Sequence, residues 1–388
     1  MVMPDPKEHS PEVELLLCCA RTQIDDETAA RIQDLAHAPL DWNALIQCAK
    51  EHMVLPLLHH ALNEAAPNAA PSSAQDRLRT GFHANVRNNL LLAHELIDLV
   101  TLFDEHDIPI VPFKGPVAAV SIYDDLHLRP FGDLDLLVHL QDVPRAQRVL
   151  RNHQYKDWET LPPLSALDFD YPPSWYSALT EPFGKAKTYL RFPNQDERIG
   201  VELHWELMSP YFRHPLNPDS FWERLRTVTL LDTPVRAFSL EDTLFYFCLH
   251  GTAHRWSQLR LVCDVAELLQ RHSALDWERL MDRAERLHSE RLFLLGLRLA
   301  HELLGAPLPT PVRQRVYDHS AVASLANQRS RELFHRPQGA SRIRSTFAYN
   351  LQIRDRLRDG VGLCIRQAYI ASLAFPSSLR KWWERVWA

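Results

Sequence analysis

Two aspartates separated by one residue, Asp133 and Asp135, stand inside the apolar run Phe131-Gly132-Asp133-Leu134-Asp135-Leu136-Leu137-Val138. On a strand the side chains alternate faces, so both carboxylates project from one side and Leu134, Leu136 and Val138 from the other. Carboxylates this close repel each other unless a cation sits between them. Hard oxygen ligands suit Mg²⁺, which keeps water and binds phosphates beside one or two carboxylates. The spacing therefore points to metal–phosphate chemistry. The plainer alternative is an exposed edge strand whose polar residues face water.

Two neighbouring stretches favour the chemical reading. Upstream, Ile108-Pro109-Ile110-Val111-Pro112-Phe113 reads as a strand halted by Lys114-Gly115, and Pro116 opens a helical run to Tyr123. Such a strand–glycine–helix junction turns backbone N–H groups toward an anion, and Lys114 adds a point charge suited to phosphate. Downstream, the alternating run Arg198-Ile199-Gly200-Val201-Glu202-Leu203-His204-Trp205 puts Glu202 and His204 on one face. A third carboxylate on a separate strand is what a two-metal site needs to hold the attacking oxygen. His204 can support Glu202 or serve as a buried histidine bonded to backbone.

In order, Lys114-Gly115, Arg129-x-x-Gly132-Asp133-x-Asp135-x-Leu137-Val138 and hydrophobic-Glu202-x-His204-Trp205 resemble the uncharacterised bacterial nucleotidyltransferases of the DNA polymerase β-like superfamily. The resemblance extends to Asp41-Trp42-Asn43-Ala44-Leu45-Ile46 with Leu55-Pro56-Leu57-Leu58-His59. It extends also to Leu249-His250-Gly251-Thr252-Ala253-His254-Arg255-Trp256 with Leu259 and Asp264. It implies that Lys114 and Gly115 sit at a triphosphate and that Asp133, Asp135 and Glu202 bind two Mg²⁺ ions. Glu202 would also activate the acceptor hydroxyl, and His250 and His254 would face the triphosphate. One departure is the turn itself. The superfamily has Gly-Gly or Gly-Ser where this chain has Lys114-Gly115-Pro116, and Pro116 offers no N–H, so Lys114 supplies by charge what the backbone does not.

Other residues carry two readings. His250 and His254 lie four apart, on one helical face, but lack the glutamate of a His-Glu-x-x-His zinc site. Arg129, four residues before Asp133, can reach a phosphate or brace the acidic loop. Arg255 and Arg260 are further phosphate candidates, with solvated surface arginines near acids such as Asp264 as the plainer alternative.

The elements that must position these residues follow from periodicity. Leu15, Leu16 and Ala20, then Leu91, Leu92, Leu96 and Leu99, recur at helical spacing, so residues 11–105 read as helices, with 63–75 as an Ala/Pro/Ser loop. Strands gather between 108 and 205. Residues 143–153 form a helix, and 187–192 with 199–205 form a hairpin that carries Glu202. Residues 161–184, rich in proline and aromatic residues, read as a lid or a packed surface excursion. Ser239-Leu240-Glu241-Asp242 is a capping-box-like start to a helical C-terminal part. The expected class is α+β: a helical region 1–105, a small mixed β-sheet nucleotidyltransferase core 106–238 and a helical region 239–388.

Composition narrows the setting. The formal charge of -6 disfavours a broad nucleic-acid surface. The 6 cysteines show no zinc or disulfide spacing, the N-terminus is unlike a signal peptide, and no apolar run is long enough to span a membrane, so a cytoplasmic protein is expected. The basic, tryptophan-bearing segment 379–387 reads as a helix packed on its own domain, with a membrane or partner surface as the alternative. The expected reaction is Mg²⁺-dependent transfer of a nucleoside monophosphate from a nucleoside triphosphate, ATP foremost, to an acceptor hydroxyl. A small molecule, peptide or protein acceptor is favoured over nucleic acid. The alternative from another class is a nucleotide-binding regulatory protein that no longer catalyses.

Overall fold

The computed structural model describes residues 10–160, 186–194, 197–207, 218–335, 345 and 348–356. The chain begins with α1 (Pro11–Cys19), α2 (Asp26–Ala36), α3 (Trp42–Glu51) and α4 (Leu55–Ala65). Aspartates start two of them: Asp25 accepts from the Thr28 N–H, and Asp41 from those of Asn43 and Ala44. A 33-residue helix, α5 (Ser72–Asp104), follows. The loop expected over 63–75 is much shorter, because α4 continues to Ala65 and α5 begins at Ser72. Four of its alanines are buried apolar contacts (Ala65, Ala66, Ala70 and Ala74) rather than the mark of a polar connection.

The sheet comprises β1 (Ile110–Pro112), β2 (Leu134–Val138), β3 (Lys156–Asp157), β4 (Ala186–Arg191) and β5 (Ile199–His204), in the order β1-β2-β5-β4-β3. Between β1 and β2 lie a short turn of helix, α6 (Gly115–Ala118), and a π-helical turn, Ala119–Tyr123; α7 (Val143–Asn152) follows β2. The β2–β5 pair is parallel and the other pairs antiparallel, so the sheet is mixed. After α8 (Asp219–Trp222), a ribbon of β6 (Arg226–Leu230) and β7 (Thr233–Ala237) leads, among the described residues, into six helices of 9 residues or more. These are α9 (Leu240–Ala253), α10 (Leu259–Arg271), α11 (Trp277–Arg286), α12 (Glu290–Leu304), α13 (Thr310–Asp318) and α14 (Ser320–Phe334). Ser239 caps α9, its Oγ accepting from the Asp242 N–H at 3.1 Å, as the capping pattern requires.

The two faces of β2 enter different cores. Leu134, Leu136 and Val138 join Val201 and Leu203 of β5 against Leu92, Leu96, Leu99 and Phe103 of α5 and Val149 and Leu150 of α7. On the other face Leu137, Val111 and Phe113 join a core built by α1–α4 together with α9–α12. The helices that open the chain and those that close it therefore pack as one layer, with Thr22 N–H donating to buried Glu267 at 2.8 Å. This layer roofs the sheet face that carries the acids. Among the described residues, Cys18, Cys19, Cys48, Cys248 and Cys263 form no disulfide. Among the described residues no helix is long and apolar enough to cross a membrane. Segments 161–184 and 379–387 lie outside the described residues.

Candidate functional site

Strand pairing sets the acidic site. Asp135 is paired in register with Glu202, and Leu137 with His204, so all the polar members of β2 and β5 share the roofed face. Strand β2 starts one residue later than the sequence pattern suggests, at Leu134, and Asp133 occupies the bend just before it. Asp133 still lies on the acidic face. A β-carbon placed on Gly200, two residues before Glu202, would be 3.6 Å from the Asp133 Cβ.

His204 Nε2 bridges the acids, 3.0 Å from Asp135 Oδ1 and 3.2 Å from Glu202 Oε2. Its Nδ1 is buried with no hydrogen-bond partner among the described residues. Lys114, at the end of the segment that follows β1, places Nζ 2.6 Å from the same Asp135 oxygen. Gly115 must be glycine twice over: its φ is +56°, and a β-carbon there would lie 3.3 Å from the Asp133 carbonyl oxygen. The turn thus brings the backbone next to the acidic bend and leaves Lys114 above the carboxylates.

Charge in this site is unevenly held. Burial, reinforced by the charges of Asp135 and Glu202, pushes the Asp133 carboxyl up to about 7. Burial also acts on Asp135, but the Lys114 ammonium and the His204 hydrogen bond outweigh it and hold that carboxyl well below the usual range. At Glu202 burial is likewise outweighed by the His204 hydrogen bond, and the carboxyl is lowered. His204 is itself raised: burial opposes its charge, and the bonds to Asp135 and Glu202 more than offset that. The Lys114 ammonium is similarly kept charged against burial by Asp135. The site therefore carries concentrated negative charge, with Lys114 and His204 as its nearest cations.

Among the described residues, one group of metal-binding side chains converges: ligand atoms of Asp135, Glu202 and His204 lie within 4.8 Å of one another. Two hard carboxylates match the needs of Mg²⁺, and imidazole does so less well. His204 fits better as the donor that fixes both carboxylates from behind, as such partners do in metal sites. Asp133 stands outside that tight group but within reach of its charge.

Arg129 is 98 % buried, with Nε and Nη2 donating to Asp264 at 2.7 and 2.9 Å. Tyr123 donates its hydroxyl to Asp264 at 2.8 Å, and Arg260 adds Nη1 at 3.2 Å. Of the two roles open to Arg129, bracing is the one this geometry fits. Three asparagines of α5 complete the brace. Asn85, Asn88 and Asn89 donate to the carbonyls of His127, Phe131, Leu126 and Arg129 at 2.7–2.9 Å. They fall on one helical face and pin the segment that leads into Asp133.

His250 and His254 form the far end of a row of rings that starts beside the acids. Phe113 meets His204 edge-on at 5.1 Å and Tyr246 at 5.2 Å. Tyr246 stacks on His250 at 5.6 Å, and His250 lies 4.4 Å from His254. The Tyr246 hydroxyl adjoins Lys114. Sequence reasoning overlooked Tyr246, although its position four residues before His250 puts it on the same face of α9. It also overlooked the asparagines, whose i, i+3, i+4 spacing was the available signal.

Residues 38–305 match a family described as an uncharacterised nucleotidyltransferase, a span that includes every motif in this site. A crystal structure of an antigenic nucleotidyltransferase-like protein from Paracoccidioides brasiliensis aligns over 60% of this chain and 96% of its own, at 13% identity and a TM-score of 0.33, too distant to carry an argument. No protein of curated function matches the sequence significantly.

Proposed function

We propose that this chain, which belongs to the uncharacterised nucleotidyltransferase family, transfers a nucleoside monophosphate from a nucleoside triphosphate to an acceptor hydroxyl, releasing pyrophosphate. The observation that carries this reading is the in-register pair Asp135 and Glu202 beneath the Lys114 ammonium. Two carboxylates side by side, kept ionised by Lys114 and His204, form a hard, negatively charged oxygen set that suits a divalent cation with a bound polyphosphate.

Asp133, Asp135 and Glu202 would hold two Mg²⁺ ions, their oxygen donors and excess negative charge suiting that metal. When bound, Mg²⁺ supplies positive charge to the transferring phosphoryl group and to the pyrophosphate that leaves. The remaining work belongs to the chain. Lys114 binds the triphosphate, and Gly115 lets the backbone approach it closely. Glu202, nearer the solvent than Asp135, accepts the acceptor hydroxyl's proton at a carboxylate oxygen. His204 keeps Glu202 and Asp135 in one orientation while it does so. His250 and His254 flank the triphosphate from α9, and Arg129 holds the acidic bend in place through Asp264.

ATP is the expected nucleotide, and the acceptor is a small molecule, peptide or protein of the cytoplasm. Incubating the protein with Mg²⁺, α-labelled ATP and cell extract tests the reading. Label should become covalently attached to an acceptor, with stoichiometric pyrophosphate. Hydrolysis without transfer, or no turnover with any of the four nucleoside triphosphates, contradicts it.

A further inference from the structure

The Asp135 oxygen that shares His204 Nε2 with Glu202 is already occupied. Its Oδ1 receives Lys114 Nζ at 2.6 Å and His204 Nε2 at 3.0 Å. A carboxylate oxygen has two lone-pair directions, so these two donors fill it. A cation that binds this oxygen must displace one of them. His204 has nowhere to go: it is rooted in the central strand β5, its side chain is 6% exposed, and its Nε2 also serves Glu202. Lys114 is different. It ends the segment after β1, its side chain is 16% exposed, and it carries a flexible four-carbon stem.

We infer that Lys114 is a resident counter-ion of the empty site, displaced from Asp135 by a divalent cation and taken up by the polyphosphate that arrives with it. The inference rests on the metal reading given above and adds an order to it. A divalent cation alone must expel the ammonium from its carboxylate and leave it the neutral Tyr246 hydroxyl, so it binds weakly. A cation bound to triphosphate brings the ammonium a new partner, so metal and nucleotide enter together. Coupling of this kind is reciprocal: the factor by which the polyphosphate raises metal affinity is the factor by which the metal raises polyphosphate affinity. The competing account makes the ion pair a structural clamp between β1 and β2. That account predicts that loss of Lys114 weakens the fold and does nothing for metal.

Mn²⁺ binding without nucleotide, measured by calorimetry, separates the two. Lys114→Met keeps the stem and removes the charge, and it should bind Mn²⁺ about tenfold more tightly than wild type, within the usual range for site coupling. Asp135→Asn should lose the binding. Equal or weaker Mn²⁺ binding by Lys114→Met overturns the inference and leaves the metal reading intact. No binding by any of the three proteins overturns both. Should Lys114→Met not fold, the wild-type protein still decides the matter. Its Lys114 side-chain NMR signal, assigned with Lys114→Arg, should shift on saturation with Mg²⁺, and an unmoved signal overturns the displacement.

Discussion

Asp135 and Glu202 stand opposite each other on neighbouring parallel strands, tied by one imidazole nitrogen that lies 3.0 and 3.2 Å from their oxygens. The sheet sets their separation, but their exposures differ. The Asp135 side chain is 2% exposed and that of Glu202 25%. The accessible acid is the one able to meet an acceptor. Glu202→Gln should therefore lower kcat by two orders of magnitude or more, within the ~10²–10⁴ typical of acid–base residues, and leave nucleotide affinity within a few-fold. Steady-state kinetics with direct nucleotide titration checks this. A collapse of binding with kcat unchanged would give Glu202 a different role.

Asp133 makes a pH prediction in the metal-free protein. Its carboxyl has a model value of 3.8 and sits at about 7 in the fold, chiefly through burial. Between those values the folded chain holds a proton that the unfolded chain has released, so stability falls as pH rises through the window and the penalty is complete above it. Asp133→Asn removes the penalty. It should be little different from wild type near pH 4 and more stable at pH 8, by on the order of 2–4 kcal/mol. Urea unfolding at the two pH values measures the difference. The same stability gap at both would contradict the charge distribution described here.

Gly115 tests the turn. Its left-handed backbone disfavours any side chain by about 1–2 kcal/mol, and the Asp133 carbonyl leaves only 3.3 Å for a β-carbon. Gly115→Ala should lower stability by about that amount and reduce triphosphate affinity further than the stability loss explains, because Lys114 and the acidic bend move apart. Thermal unfolding and nucleotide titration on the same sample separate the two effects. Normal affinity in a folded Gly115→Ala protein would show that the close approach serves packing alone.

Arg129 distinguishes a brace from a phosphate ligand. Removing one member of a buried ion pair strands the other and typically costs about 3–5 kcal/mol. Both members of the Arg129–Asp264 pair are 2% exposed. Arg260 and Tyr123 remain to compensate Asp264 in part, so Arg129→Met should cost about 3 kcal/mol by chemical denaturation. A stable Arg129→Met protein with weakened nucleotide binding would reverse the assignment.

Local periodicity explains what could be read in advance. Asp133, Asp135, Glu202 and His204 announce themselves because alternation on a strand is a property of neighbours in sequence, and the structure puts all four on one sheet face. The start of β2 was misjudged by one residue, since nothing local distinguishes a bend at Gly132-Asp133 from a first strand residue. Partners distant in sequence were illegible. Arg129 and Asp264 are 135 positions apart, and Lys114, just past β1, meets Asp135 through a β1–β2 pairing that no single segment specifies. The segment 63–75 misled for a compositional reason. Alanine and serine suit both loops and helices, and burial against α5's neighbours decided for helix over most of it.

In the proposed reaction, nucleotidyl transfer is organised about the buried acid Asp135. The most direct measurement compares wild type and Asp135→Asn in transfer of label from α-labelled ATP to acceptor in the presence of Mg²⁺ and cell extract, with circular dichroism confirming that both are folded. Label transfer and pyrophosphate are expected from wild type and neither from Asp135→Asn. Transfer by Asp135→Asn at the wild-type rate would contradict that role for Asp135.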